Sequence, residues 1–508
     1  MSVLKSLAKE TAVYGLSSIV GRFLNWCLVP LYVYLFPTEE YGIVSYLYSY
    51  MAVLLVILTY GMETGFFRYA SRDDNPERVY TTSLISVGAT SLIFILLLSV
   101  FIQPVSDMLL LPHHRIYVWL LGVTVALDAF SCIPFAYLRY KKAAYRFAGI
   151  KMANVAINIA LNIFFLLGCP AIEKHCPEAI DWFYAPCGGI DFGIGWIFVA
   201  NIISTVCVLL MLLPQILRSS YTFSPTLWRD MLRYSWPLLI LGVAGIASQN
   251  MGQMVIPYLF PDNPDAARSM VGIYGANIKI AIVMVMFTQA FRYAYEPFIF
   301  ARARAAGANE KEDYALAMKF FVLFGLAIFL AVMFYLPLLK HFVAPAYWGG
   351  LRVVPVTMGA ELFVGIYFNL SLWYKLTDRT IWGMYFSVFG FILMLALNLW
   401  FVTGIGIPDG YMGSAWAAFI SYAAIMLLSY FMGQRHYPIR YPVAVMTLYA
   451  LLAAALWITG EWLCAFPSMP WLMYLSRTLL LVVYLGVVAY YEHVPLLSAQ
   501  VHKLFGKK

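Results

Sequence analysis

Four ionisable residues stand near the centres of long apolar stretches in this sequence. They are Arg22, Asp128, Lys279 and Glu361. A charge at the middle of a bilayer costs about 2.5 to 3.5 kcal/mol on insertion scales, so such residues face a cavity or a charged partner. Two interpretations remain open. Either the four form ion pairs that fix helix packing, or Arg22 and Lys279 bind an anion in a central cavity while the carboxylates orient them or exchange protons.

Two arginines follow apolar stretches at corresponding places in the chain. Arg68 and Arg292 each stand in the tetrapeptide FRYA. A planar guanidinium can donate two parallel hydrogen bonds to one phosphate, so this pair could clamp a diphosphate. The alternative for each is an ordinary basic residue at a membrane interface. Glu63 is expected to pair with Arg68.

Side-chain amides also recur within the apolar stretches. Asn154, Asn158 and Asn162 are spaced by four residues, which places them on one face of a helix. Asn25 and Gln249 are predicted to lie beside a bound ligand. Such amides either hydrogen-bond neighbouring helices, at about 0.6 kcal/mol each, or donate to hydroxyl groups of a ligand.

The elements that carry these residues are membrane-spanning helices. The 508 residues are 63% hydrophobic and only 11% charged, against about 25% charged residues in soluble domains. Many apolar runs approach the roughly 20 residues that cross a 30 Å hydrocarbon layer. The sequence therefore predicts an all-α polytopic membrane protein with about 14 transmembrane helices. The predicted spans are 11–36, 42–62, 81–102, 116–138, 152–168, 191–213, 235–258, 270–293, 314–336, 353–374, 380–403, 412–433, 442–464 and 478–494.

Basic residues are distributed unevenly between the two sides of this topology. The side of the N-terminus carries 23 Lys and Arg, the opposite side carries six, and four lie within the spans. The positive-inside rule then places both termini in the cytosol. The net charge of +8 belongs mostly to loops that face anionic lipid, so it does not indicate nucleic-acid binding.

An internal repeat relates the two halves of the chain. The tetrapeptide YLFP at 34–37 recurs at 258–261, and FRYA at 67–70 recurs at 291–294, both at an offset of 224 residues. The same offset pairs Asn25 with Gln249. Predicted helices 7 and 8 therefore correspond to helices 1 and 2.

The direction of the repeat predicts the organisation of the molecule. An even number of helices separates the copies, so both run the same way across the membrane, as in two-lobed transporters with a central site. We expect two six-helix lobes in parallel repeat, residues 1–218 and 219–434, followed by two extra helices and a cytosolic tail in 435–508.

The sequence gives little indication of a disulfide, a catalytic site or a metal site. Cys169, Cys176 and Cys187 fall in one predicted external loop, where they either form a disulfide or remain unpaired thiols. The sequence contains no Walker loop and no H-E-x-x-H motif. We therefore expect a transporter rather than an enzyme, with no cofactor and no metal site.

Two segments carry a family resemblance. Residues 7–70 (LAKETAVYGLSSIVGRF and onward) and 271–300 (VGIYGANIKIAIVMVMFTQAFRYAYEPFIF) resemble helices 1, 2 and 8 of bacterial polysaccharide-unit flippases. These are the O-antigen and capsule translocases of the multidrug/oligosaccharidyl-lipid/polysaccharide exporter superfamily.

The resemblance implies a flippase of the bacterial inner membrane. It would move an undecaprenyl-diphosphate-linked oligosaccharide to the periplasmic leaflet by alternating access, through a cationic cavity, for O-antigen, capsule or exopolysaccharide synthesis. Its partners would be this lipid-linked substrate, membrane lipids and polysaccharide polymerase machinery. Two alternatives stay open. One is a flippase for the peptidoglycan lipid precursor, and the other is a multidrug antiporter in which H⁺ or Na⁺ couples through Asp128 and Glu361.

Overall fold

A computed structural model describes most of the chain. The described residues are 20–21, 23–175, 178, 180, 182, 184, 186, 188–217, 221–304, 310–377, 379, 381–402, 410–463 and 470–492.

Most of the described residues are helical, and none of them lies in a β-strand. Thirteen helices are long and apolar enough to cross a membrane, and a shorter apolar helix precedes them. Together they occupy the 14 positions that the sequence predicts. The helices are α1 (Phe23–Leu35), α2 (Thr38–Ala70), α3 (Pro76–Val100), α4 (Arg115–Tyr140), α5 (Ala144–His175), α6 (Gly195–Leu217), α7 (Pro225–Leu259), α8 (Pro264–Arg292, continuing to Arg304), α9 (Lys311–Phe334), α10 (Pro345–Leu376), α11 (Ile381–Val402), α12 (Gly410–His436), α13 (Val443–Leu463) and α14 (Trp471–Glu492).

Local sequence explains where several helices start and bend. Pro76, Pro225 and Pro264 stand at the first position of their helices, where the missing N–H is harmless and the fixed φ suits a helix. Helix α2 bends at Tyr60 and Gly61, whose φ angles are 34° and 71°. The bend turns the last part of α2, which carries Arg68.

The helices extend beyond their apolar cores. The apolar part of α5 was predicted to begin at residue 152, but the helix starts at Ala144 and includes Lys151. Polar residues at a helix end continue the backbone hydrogen bonding after the apolar run stops, so hydropathy alone places the boundary too late.

We use "inner" for the helix ends predicted to face the cytosol and "outer" for the opposite ends.

The chain forms two compact units. Unit 1 contains Met1–Gly275 and Phe391–Ser414, and unit 2 contains Ala276–Gly390 and Ala415–Lys508. The lobes at 1–218 and 219–434 rest on the sequence repeat and stay a prediction.

In unit 1, the outer ends of α2 and α8 touch through their backbones. A Cβ added to Gly42 would lie 1.9 Å from the carbonyl oxygen of Arg268, and one added to Gly272 would lie 2.1 Å from that of Thr38. The Thr38 and Ser269 hydroxyls form a hydrogen bond of 2.7 Å beside this contact. Only glycine permits such an approach, so the two glycines fix how closely these helices pack.

In unit 2, α14 is attached to α9 at both ends. At the inner end, Lys319 forms an ion pair with Glu492. At the outer end, the buried guanidinium of Arg477 donates to the carbonyl oxygen of Phe334 at 2.8 Å and pairs with Glu461 at 3.1 Å. The last two helices are therefore integral parts of unit 2.

Candidate functional site

The structure describes three of the four residues that were predicted to carry charges at mid-membrane. Arg22 lies outside the described residues, so its environment stays a prediction. Lys279 is half-buried in α8, and Glu361 is half-buried in α10. Glu361 forms no ion pair with any residue that the structure describes. Asp128 is half-buried in α4.

Asp128 has a cationic neighbour that the sequence interpretation assigned to a loop. Its carboxylate accepts a hydrogen bond of 3.2 Å from the Thr205 hydroxyl, and it interacts electrostatically with Lys151 of α5. The Lys151 ammonium lies 4.1 Å from the ring centroid of Phe135. The carboxylate of Asp128 is thus balanced within unit 1 by a hydroxyl and an ammonium group.

The asparagines of α5 belong to a hydrogen-bond network in unit 1. Asn162 accepts from the Tyr32 hydroxyl at 2.9 Å and donates to the backbone carbonyl of Asn158 at 2.8 Å. Asn158 donates to Asn201 at 2.7 Å, and Asn201 donates to the hydroxyl of Tyr48. The network joins α1, α2, α5 and α6. It favours helix packing over ligand binding as the role of Asn158 and Asn162.

The other predicted amides have a contrasting environment. Asn25 in α1 and Gln249 in α7 are both exposed. Neither side chain forms a hydrogen bond with the rest of the described chain. An amide left unsatisfied against lipid is costly, so this exposure favours contact with water or with a ligand.

The inner end of unit 1 presents an exposed arginine. The guanidinium carbon of Arg68 lies 4.1 Å from the ring centroid of Tyr234. The expected pairing with Glu63 is wrong, because Glu63 forms its ion pair with Arg139 of α4. The inner part of α2 turns Glu63 toward α4 and Arg68 toward α7, which helical spacing within α2 alone could not distinguish.

The inner end of unit 2 has a related arrangement with a second cation. Arg292 is exposed, and its guanidinium carbon lies 4.7 Å from the ring centroid of Phe368. The Lys375 ammonium lies 4.6 Å from the same centroid. The repeat-related Arg68 and Arg292 therefore both lie over an aromatic ring. The sequence did not single out Lys375, because its only sequence signal was one more basic charge on the predicted cytosolic side.

Unit 2 also contains an apolar pocket of about 420 Å³ toward the inner ends of its helices. Helices α9, α10, α12 and the start of α13 line it. The lining residues include Met318, Val322, Leu362, Ile366, Leu370, Met426, Tyr430, Tyr441 and Met446. Its size and apolar lining suit a hydrocarbon chain.

Two of the predicted features lie partly outside the described residues. Cys176 and Cys187 are not described, whereas Cys169 is a buried free thiol. No group of three or more His, Cys, Asp or Glu side chains that could hold a metal ion occurs among the described residues.

A family model links part of the sequence to polysaccharide synthesis. The family described as "Polysaccharide biosynthesis protein" matches residues 34–170, which cover α2, α3, α4 and most of α5. No curated protein matches the sequence significantly.

Solved structures match the chain over most of its length. An inward-facing multidrug resistance MATE family transporter of the MOP superfamily aligns with a TM-score of 0.64 at 14% identity, covering 82% of this chain and 94% of its own. The lipid II flippase MurJ, in an inward closed conformation, aligns with a TM-score of 0.64 at 13% identity, covering 95% of this chain and 99% of its own. This chain has the fold that these two structures share. The resemblance predicted from helices 1, 2 and 8 is confirmed. The prediction of a multi-pass membrane protein is confirmed as well.

Proposed function

We propose that this protein is a flippase that moves undecaprenyl-diphosphate-linked oligosaccharide units across the bacterial inner membrane for surface polysaccharide synthesis. The observation that carries the proposal is a polysaccharide-biosynthesis match over residues 34–170 in a chain with the MOP transporter fold. Exposed arginines at the inner ends of α2 and α8 support it.

The physical problem is the transfer of a charged headgroup through hydrocarbon. Burial of a diphosphate in hydrocarbon without charged or polar partners has a prohibitive free-energy cost, whereas the polyprenyl tail is soluble in lipid. In the proposed mechanism, Arg68 and Arg292 recruit the diphosphate, and Arg22 and Lys279 hold it at mid-membrane. Asn25 and Gln249 donate hydrogen bonds to the sugars. Alternating access then exposes the headgroup on the other side.

The tail and the driving force involve other parts of the chain. The apolar pocket of unit 2 offers a surface for part of the polyprenyl tail. Asp128 and Glu361 are the proposed coupling groups for H⁺ or Na⁺, because both are carboxylates within membrane helices. Both termini face the cytosol in this proposal, and a polysaccharide polymerase receives the translocated unit.

The proposal is tested by Arg22→Ala in a strain that depends on this gene for surface polysaccharide. We expect the polysaccharide to be lost while the amount of protein in the membrane is unchanged, because one of two cations at mid-membrane is removed. The measurement is surface polysaccharide by immunoblot, with membrane protein quantified in parallel. Polysaccharide at the wild-type level would remove Arg22 from the mechanism.

A second candidate function is a flippase for the peptidoglycan precursor. The alignment with the lipid II flippase over 95% of this chain favours it. It predicts that expression of this gene rescues cell-wall synthesis after depletion of the endogenous lipid II flippase. The proposed function predicts no rescue.

Drug accumulation tests the antiporter alternative. The MATE fold similarity favours that alternative. An antiporter that couples through Asp128 and Glu361 would lower drug accumulation in cells, and Asp128→Asn or Glu361→Gln would abolish the effect. The proposed flippase predicts the same accumulation with and without the gene.

A further inference from the structure

The inner end of α10 is a rigid aromatic platform. Leu372, Trp373 and Tyr374 are buried there, and the Trp373 ring stacks on the His436 ring of α12 with centroids 5.3 Å apart. Side chains fixed in this way lose little further entropy when a neighbouring residue binds a ligand. Lys375 follows this buried run directly, so its backbone position is well defined.

Phe368 and Lys375 share one face of α10. They are seven residues apart, which is about two helical turns, and the Lys375 ammonium lies 4.6 Å from the Phe368 ring centroid. Ile366 and Leu370, two positions on either side of Phe368, line the apolar pocket instead. Helix α10 therefore carries the cation on one face and the apolar pocket on another.

Arg292 reaches the same ring from α8. The preceding residue, Phe291, packs against Phe321 and Tyr295 with ring centroids 4.9 and 5.0 Å away. This packing anchors α8 on one side while the guanidinium of Arg292 lies over Phe368 at 4.7 Å.

The arrangement brings two positive charges to one ring. Both Arg292 and Lys375 lie against the ring of Phe368. An aromatic face attracts each cation weakly, by about 0.5 to 1 kcal/mol at exposed sites. An anion that contacts both groups gains two charge-assisted interactions.

We propose that Lys375 and Arg292, held at the ring of Phe368, form a diphosphate-binding site at the inner end of unit 2. This inference rests on the proposed function and adds Lys375 to the substrate contacts. Arginine supplies a planar fork for one phosphate and lysine a compact charge for the other.

The ligand is the diphosphate of a polyprenyl lipid. The site lies at the inner ends of two membrane helices, where a lipid headgroup would reside, and unit 2 provides an apolar pocket on another face of α10. Soluble pyrophosphate has the same charged groups without the tail. The experiment below distinguishes the two sources.

The test is direct binding to the purified full-length protein in phosphatidylcholine nanodiscs. Undecaprenyl diphosphate, undecaprenyl monophosphate and inorganic pyrophosphate are titrated separately, with affinity read by microscale thermophoresis. We expect Lys375→Gln to weaken binding of the diphosphate lipid roughly tenfold to a hundredfold, since a charge-assisted interaction is lost. Binding of the monophosphate should change much less, and Lys375→Arg should retain most of the affinity.

Lys311→Gln is the matched control. The Lys311 ammonium also lies close to an aromatic ring of unit 2, 4.5 Å from the ring centroid of Tyr437, and it is not one of the two cations at Phe368. Its substitution should leave diphosphate affinity unchanged. An equal loss in both variants would show a general charge effect and overturn the proposal. A monodisperse size-exclusion profile for each variant excludes misfolding.

The outcomes separate this inference from the proposed function. If the wild-type protein binds undecaprenyl diphosphate and Lys375→Gln binds it equally well, the site is wrong and the flippase proposal stands. If the wild-type protein does not bind the lipid, both fail. If pyrophosphate or added phosphatidylglycerol competes with the lipid at equal concentration, the assignment to a polyprenyl diphosphate is overturned.

Discussion

Arg68 combines exposure with a fixed position. Its guanidinium carbon lies 4.1 Å from the ring centroid of Tyr234, and the group has five N–H donors, more than one ring contact can occupy. We expect Arg68→Ala to reduce surface polysaccharide roughly tenfold or more, because the charge-assisted hydrogen bonds proposed between Arg68 and the diphosphate would be lost. Arg68→Lys should recover only part of the activity, since an ammonium group cannot form the two-pronged contact. Equal polysaccharide in Arg68→Ala and wild-type cells would rule this role out.

His114 provides a titratable group outside the membrane spans. Burial, followed by the charge of Arg268 and then His113, lowers the pKa of His114. The folded protein therefore binds this proton less readily than the unfolded chain does. The neutral histidine contributes stability above the ordinary pKa of about 6.5, and this contribution is lost as the pH falls through and below that value.

The predicted effect of Arg268 on His114 can be measured. Arg268→Gln should raise the pKa of His114 toward its ordinary value, because a nearby positive charge is removed. Some lowering should remain, since burial is the larger cause. NMR titration of the purified protein with labelled histidine would give the pKa in both forms. An unchanged pKa in Arg268→Gln would contradict the prediction.

At the residue scale, the sequence predicted where side chains lie along their helices better than it predicted their partners. The exposed arginines at the repeated FRYA motif were predicted, and so was the shared face of Asn158 and Asn162. The proximity of Lys151 to Asp128 was not predicted, because hydropathy placed Lys151 outside the helix. Contacts between distant helices depend on packing, which the spacing of residues along one helix does not determine.

At the element scale, the contact between α2 and α8 gives a stability prediction. A Cβ on Gly42 would stand 1.9 Å from the Arg268 carbonyl oxygen, so the backbones must separate. We expect Gly42→Ala to destabilise the folded protein by about 1 to 3 kcal/mol, the usual cost of overpacking. The melting temperature in detergent, read by fluorescence-detected size exclusion, measures the effect.

Gly149→Ala is the matched control for that substitution. Gly149 lies in α5 of the same unit, and a Cβ added there meets no atom within 4 Å. Alanine favours a helix over glycine by about 1 kcal/mol, so this variant should be as stable as the wild type or more stable. A similar loss of stability in both variants would show that close packing at Gly42 is not the cause.

The elements themselves were the most predictable feature of the chain. Long apolar runs specify membrane helices because the backbone must satisfy its own hydrogen bonds in lipid. The number and order of the helices therefore followed from hydropathy. Hydropathy did not predict the bend at Gly61, which depends on local backbone angles. It also did not predict the attachment of α14 to α9 through Arg477, which depends on a contact between helices.

At the scale of the whole molecule, the fold shared with the MATE transporter and MurJ structures and the cations within its helices support the proposed account. In that proposal, positive side chains in membrane helices let an anionic headgroup cross hydrocarbon while its tail remains in lipid. The fold is common to drug transporters and a lipid flippase, so the substrate depends on the side chains that line the path. Lys279 is the described mid-membrane cation on which this account rests.

The most direct measurement is headgroup translocation in vesicles that contain the purified protein. A fluorescent undecaprenyl-diphosphate oligosaccharide is placed in both leaflets, and a membrane-impermeant quencher reports the fraction that reaches the outer leaflet. The account predicts rapid, complete quenching with wild-type protein and quenching of only the initial outer-leaflet fraction with Lys279→Ala, while Lys311→Ala behaves as the wild type. Complete quenching by Lys279→Ala, or none beyond the outer leaflet with the wild-type protein, would contradict it.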